Sequence, residues 1–146
     1  MMAIVLFDTN FLFALGWANH EHHQVAHRYF STLAGTSWAT CPMTQCGFVR
    51  ISSNRKAISW VTRPAVALDL LAHLTRDAGH VFWKDDLSLL KTPLRTAAIQ
   101  GHRQVTDAYL LSLAMKNGGQ LVTFDQGIPS LASTDAERAS IILLKT

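Results

Sequence analysis

The stretch AIVLFDTNFLFALGW, residues 3–17, decides the fold. Residues 3–7 form a short continuous apolar run, the pattern of a strand covered on both faces. Asp8 or Thr9 can then cap a helix that continues to about Trp17. Strand, acid and helix in direct succession make the opening of a βα unit, and the rest of the chain repeats the alternation. A second helix is expected over residues 20–33, stopped by Gly35. Residues 37–41 read as a second strand, and Pro42 suits the first turn of a helix to about Ser53. After the SSNRK loop, Pro64 opens another helix, with Leu68, Leu71, Ala72 and Ala78 along one stripe. Residues 80–83 are a third strand, 86–91 a short helix, 104–117 a longer one, 120–124 a fourth strand and 140–144 a fifth. Strands alternating with helices predict an α/β/α sandwich around a central, mostly parallel sheet. Right-handed crossovers then bring the carboxyl ends of the strands to one edge. No repeat or linker divides residues 1–146, so a single domain is expected, long enough to bury roughly 70% of its unfolded surface.

Asp8, Asp107 and Asp125 each stand where an apolar run gives way to a turn or a helix start, in IVLF-Asp8-Thr-Asn, VT-Asp107-AYLLSLA and LVTF-Asp125-QG. Singly, each has an ordinary explanation: a helix cap, an acid near a helix N-terminus, a turn former. The chain has only ten acids, and three in such settings at one sheet edge form a pattern. In open α/β sheets, ligands bind at that edge. Clustered carboxylates resist ionising together unless a cation neutralises them. Hard oxygen donors of this kind select Mg²⁺ or Mn²⁺. Asn10 and Thr123 add oxygen-bearing neighbours suited to supporting the ligands.

The net charge is +3, and its distribution is informative. No acid occurs between Glu21 and Asp69, while Arg28, Arg50, Arg55, Lys56 and Arg63 fall inside that interval. A one-signed region favours a polyanion such as nucleic acid, although a solvated face has the same composition. Arg50, Arg55 and Lys56 are the candidate contacts to such a polyanion. No apolar stretch approaches the roughly 20 residues that span a bilayer. The start MMAIVLFD has no basic leader, so a cytoplasmic location is expected. Cys41 and Cys46 have neither redox nor zinc spacing and are expected to be buried free thiols.

Several other residues invite functional readings. His20, His22, His23 and His27 resemble a metal tract but lack further partners, and a solvated helix explains them. Trp17, Trp38, Trp60 and Trp83 are most simply core anchors, with Trp60 also able to stack on a base. His102 and Arg103 precede Asp107 and could meet a phosphate.

Taken in order, Asp8-Thr-Asn, CPMT-Gln45-CGFVRI, QVT-Asp107-AYLLSLA and LVTF-Asp125-QG resemble the successive motifs of PIN-domain nucleases, in particular VapC-type toxins of toxin–antitoxin pairs. The resemblance covers nearly the whole chain. It implies a PIN-like α/β/α fold and a Mg²⁺- or Mn²⁺-dependent endoribonuclease acting on tRNA or mRNA, with 5′-phosphate and 3′-hydroxyl products. It also implies a homodimer held inactive by a cognate antitoxin. Carried across, the family's acids fall on Asp8, Asp107 and Asp125 as metal ligands, with Gln45 where a glutamate is usual. A glutamine offers a carbonyl oxygen but no charge. One firmly held metal is therefore expected, with a second bound weakly or together with substrate. Gln45→Glu should tighten metal binding. Asp85 or Asp86, after the third strand, could compensate, although both are expected to begin the short helix that follows. The Gln45 departure also admits a catalytically attenuated RNA- or antitoxin-binding module. An aspartyl phosphatase using Asp8 is disfavoured, because Asn10 stands where a second aspartate would be needed.

Overall fold

The computed structural model describes residues 3–54, 56, 59–60 and 62–146. Five strands, β1 (Val5–Phe7), β2 (Trp38–Thr40), β3 (His80–Phe82), β4 (Gln120–Thr123) and β5 (Ile141–Leu143), form one sheet in the order β3-β2-β1-β4-β5. Every pairing is parallel. The helices are α1 (Thr9–Gly16), α2 (His23–Ser31), α3 (Pro42–Ser52), α4 (Pro64–Leu74), α5 (Arg103–Lys116) and α6 (Asp135–Ala139). This is the expected α/β/α sandwich.

Strand alternation sorts the core into two layers. Val5, Phe7, Trp38 and Val122 face one side, where they pack with Phe11, Leu12 and Leu15 of α1, Ala26 of α2, Phe48 of α3 and Leu71 of α4. Leu6, Ala39 and Leu121 face the other, against Leu110, Leu111, Leu113 and Ala114 of α5. Phe7 stacks on Trp38 with ring centroids 4.9 Å apart. The central strands are buried throughout except at Gln120, whereas β3 and β5 at the two edges are only partly covered.

Several elements differ from expectation, including a 3₁₀ turn at Thr96–Ala98 that no sequence signal indicated. The helix expected from residue 20 begins at His23, because the preceding residues turn back, with the His22 amide donating to His20 Nδ1 at 2.9 Å. The helix expected over 86–91 is only a 3₁₀ turn, Leu89–Lys91, so neither Asp85 nor Asp86 opens a helix. A 3₁₀ turn (Ile128–Leu131) and α6 were not anticipated. The α6 signal is nevertheless present: Thr134 accepts the Glu137 amide at 3.1 Å, and Glu137 Oε1 accepts the Ser133 amide at 2.7 Å. That exchange follows the Thr-x-x-Glu capping pattern.

Helices α1 and α3 meet where α3 has no side chain. A Cβ placed on Gly47 would lie 2.7 Å from Thr9 Oγ1 and 2.8 Å from Thr9 Cγ2. The contact fixes how α3 docks beside the start of α1. Gly47→Val should overpack it and lower stability by about 1–3 kcal/mol. Urea denaturation should detect that loss, with partial recovery when Thr9→Ala is added.

Candidate functional site

β1 is the central strand, paired with β2 on one side and β4 on the other, and the chain runs outward through β2 and β3 before crossing back to β4, so the order reverses between β1 and β4. Crevices of this kind, outside the carboxyl ends of parallel strands, are where α/β sheets bind ligands. Asp8 lies there, one residue beyond β1. Its Oδ1 accepts the Phe11 amide at 2.7 Å and so caps α1. Its Oδ2 accepts the Thr123 hydroxyl from the end of β4. The β1–β4 register, which pairs Phe7 with Val122, brings these two residues side by side. Asp8 is only 3% exposed.

Thr123 acts in two directions. While its hydroxyl donates to Asp8, its oxygen accepts the Asp125 amide at 2.9 Å. Asp125 Oδ1 in turn accepts the Gly127 amide at 2.8 Å, closing a side-chain turn. Asp107, on α5, faces Asp125 and feels both its charge and a hydrogen bond. The structure therefore brings Asp8, Asp107 and Asp125 into one electrostatic cluster.

Their protonation reflects crowding. Burial pushes Asp8 up to about 7, and the charges of Asp107 and Asp125 add to the rise, although the Thr123 and Phe11 hydrogen bonds oppose it. Burial raises Asp107 to about 6, with Asp125 acting in the same direction. Both acids hold protons at pH values where ordinary carboxylates are ionised. A hard cation would relieve this, and carboxylate oxygens are the donor type it requires. Among the described residues no three acids, histidines or cysteines already converge as a ligand set. The fit therefore rests on donor chemistry and shared charge.

A cavity of about 750 Å³ is lined in part by Asp8, Asn10, Met43, Arg50, Asp85 and Asp107, whereas Asp125 is not part of its lining. Asn10 is thus at its wall. So is Arg50, from α3. Lys56 is exposed, with its amide on Asn54 Oδ1 at 3.0 Å, and is not part of this wall. Arg55 lies outside the described residues.

Gln45 does not join the acids. Its Nε2 donates to Thr40 Oγ1 at 3.0 Å, and that oxygen also contacts His80 Nε2 at 2.7 Å. Gln45 lines a neighbouring groove with Leu68 and Leu71 instead. The reason is helical azimuth: Met43, Cys46, Gly47, Arg50 and Asn54 recur at the three- and four-residue spacing of the face turned to the acidic cavity, and Gln45 is off that face.

The residue missing from the first-choice site is Asp85. It lines the cavity, and its Oδ2 accepts the Met43 amide at the start of α3 at 3.1 Å. Its neighbour Asp86 turns outward to Lys116, 3.0 Å away. The position after a third parallel strand was the available signal.

The other candidates are structural. His23 Nδ1 contacts the Ala14 carbonyl at 2.9 Å, while His20 packs on Phe13 and His22 on Phe124. The tract is half-buried between helices rather than a solvated face, apart from exposed His27. Trp60 stacks on Phe13, with centroids 5.5 Å apart, and Trp17 donates to Ser52 Oγ at 2.8 Å. Cys41 is buried as expected, but Cys46 is exposed because it sits on the cavity face of α3. His102 and Arg103 are exposed at the start of α5.

Residues 5–133 match the PIN domain family. Ribonuclease VapC39 of Mycobacterium tuberculosis is 47% identical over 129 residues, covering 88% of this chain and 93% of that protein. Ribonuclease VapC38 of the same species is 44% identical over 129 residues, covering 88% and 90%. Ribonuclease VapC44 is 37% identical over 140 residues, covering 95% and 98%. The crystal structure of Mycobacterium tuberculosis VapC20, described as a sarcin–ricin loop cleaving toxin, superposes with a TM-score of 0.59 at 15% identity, covering 96% of this chain and 98% of that one. That likeness concerns the fold. By the extent of its PIN match and the identity to these ribonucleases, the chain belongs to the PIN-domain family, among the VapC toxins.

Proposed function

We propose that this protein is a Mg²⁺- or Mn²⁺-dependent endoribonuclease toxin that hydrolyses phosphodiester bonds in tRNA or mRNA and is neutralised by a cognate antitoxin. The observation that carries the reading is the trio Asp8, Asp107 and Asp125, whose crowding calls for positive charge at the carboxyl edge of the sheet. The names of its relatives as ribonucleases supply the substrate class. Asp8, Asp107 and Asp125 hold the cation. A divalent cation held by these carboxylates would supply an acidified water and charge relief for the phosphate oxygens. Thr123 orients Asp8 and Asp125 together, and Asn10 stands at the rim beside them. Arg50 meets the phosphate from the facing wall, and Arg55 and Lys56 extend the contact along the RNA backbone. The antitoxin and a second copy of the chain complete the assembly, with Val66 and Leu68 of α4 as exposed apolar surface for such contacts. The cytoplasm is the compartment in which it acts.

Gln45 serves as a brace in this scheme, holding α3 to β2 and, through Thr40, to β3. An attenuated binding module loses its main support, because the glutamine does not face the acids.

The deciding test is cleavage of a mixed tRNA and mRNA pool by purified protein with Mn²⁺, Mg²⁺ or EDTA, beside Asp8→Asn. Asparagine still caps α1, so the variant should fold. Metal-dependent cutting that Asp8→Asn loses is the expected result. Intact RNA binding without cutting would favour the binding module. Thr123→Val should lower Mn²⁺ affinity or activity by roughly 10–100-fold, as loss of a ligand-orienting bond does elsewhere. Gln45→Glu should leave Mn²⁺ affinity unchanged in calorimetry, contrary to the expectation from sequence.

Stability should also depend on pH in a defined sense. Asp8 rises from 3.8 to about 7 on folding, so the folded protein binds the extra proton between those values. Its contribution is fully present below about pH 4, falls as pH rises, and is lost above about 7. Thermal melts of metal-free protein should show that decline, with Asp8→Asn and saturating Mn²⁺ both flattening it.

A further inference from the structure

Between α3 and α4 runs a groove of about 700 Å³, whose apolar lining includes Val49, Leu68 and Leu71. Among the described residues no acid lines it. Helix α3 separates it from the acidic cavity, and Cys46, Arg50 and Asn54 line both. The groove therefore adjoins the space that Asp8 and Asp107 face. Arg50 stands on the boundary, exposed, and among the described residues it pairs with no acid. Leu68, at 53% exposed, leaves much of its apolar surface uncovered.

The polar residues of the groove have hydrogen-bonding capacity to spare. Gln45 commits its Nε2 to Thr40, which leaves its carbonyl oxygen as an acceptor. Asn54 commits its Oδ1 to the Lys56 amide, which leaves its Nδ2 as a donor. An apolar slot with a few polar groups and an unpaired guanidinium beside it suits a nucleotide. The faces of a base prefer apolar contact, its edge exchanges hydrogen bonds, and its phosphate is an anion. The place of the cation favours this occupant. A phosphate on Arg50 lies beside the acids on one side and leaves its base beside the groove on the other.

We infer that the groove between α3 and α4 takes one unpaired base of the RNA, next to the phosphate that Arg50 holds. A base can enter only when it is out of a helical stack, as single strands, loops and bulges allow. The groove thus selects RNA by an exposed nucleotide rather than by duplex shape. The inference rests on the ribonuclease reading above. Leu68 also belongs to the apolar surface that α4 offers to protein contacts, so a partner seated there and a base in the groove exclude one another.

Methyl-resolved NMR of the full chain in EDTA tests it, with the common nucleoside 5′-monophosphates and with ribose 5-phosphate as probes. At least one nucleotide should shift the methyl signals of Val49, Leu68 and Leu71, and ribose 5-phosphate should not. Leu68→Ala, at a half-exposed position where alanine suits a helix, should weaken that nucleotide about fivefold. Arg50→Gln should weaken it as well, with the same methyls shifting at saturation. A single-stranded oligoribonucleotide should bind more tightly than the same strand in a duplex, and Leu68→Ala should narrow the difference. Silence of these methyls with every nucleotide would overturn the inference and leave the groove to a protein partner. Equal shifts from ribose 5-phosphate would also overturn it. Base-dependent shifts in a protein that cuts no RNA with Mn²⁺ would keep the groove and sink the nuclease reading instead.

Discussion

One buried hydrogen bond organises this molecule: the Thr123 hydroxyl to the Asp8 carboxylate, across the seam between β1 and β4. Asp8 has almost no contact with water. Burying a carboxylate is unfavourable unless its oxygens are satisfied or its charge is met. One oxygen is satisfied by the amide that starts α1, and the other by the residue that ends β4. The acid thereby joins a strand, a helix and the neighbouring strand at the point where the sheet's connectivity reverses. Everything that binds at this edge must be accommodated around it.

The cost of that arrangement is visible in the protonation of Asp8 and Asp107. Asp8 is raised mainly by burial and further by Asp107 and Asp125, and Asp107 mainly by burial and further by Asp125. Charge mismatch of this kind is characteristic of functional sites, where a ligand completes what the fold leaves unbalanced. Several other acids have partners. Asp77 accepts the Trp38 indole and the Gly79 amide, Asp86 meets Lys116, and Asp135 meets Arg138. The unbalanced carboxylates are confined to the carboxyl edge of the sheet, facing Arg50 across the cavity.

Opposing this rigid centre is a wall whose character depends on one close approach. Gly47 lets α3 lie directly against Thr9. The resulting rotation presents Arg50 and Asn54 to the cavity and directs Gln45 to Thr40. Gln45, Thr40 and His80 then form a polar chain from α3 through β2 to β3. Burial lowers His80 below the usual histidine range, which favours the neutral ring in that chain. An acid at position 45 would meet this brace rather than the acidic cavity. The position of Arg50 on this wall thus depends on a glycine with no chemistry of its own.

Sequence alone determined the sheet, its parallel sense and the three aspartates at its carboxyl edge. Apolar runs of strand length separated by helical segments admit few topologies; Asp8 directly follows β1 and caps α1, Asp125 comes two residues after β4, and Asp107 lies within the first turns of α5. The α6 cap is also legible in Thr134 and Glu137. Tertiary structure decided which acids share a cavity and which way α3 faces. Asp85 and Asp86 are adjacent and chemically identical, yet one turns inward to the Met43 amide and the other outward to Lys116. Gln45 and Gly47 lie two residues apart on one helix, and only the second faces Thr9. Such choices depend on how one helix docks against another. Packing at a single contact sets that azimuth, and a linear pattern of residue types does not encode it.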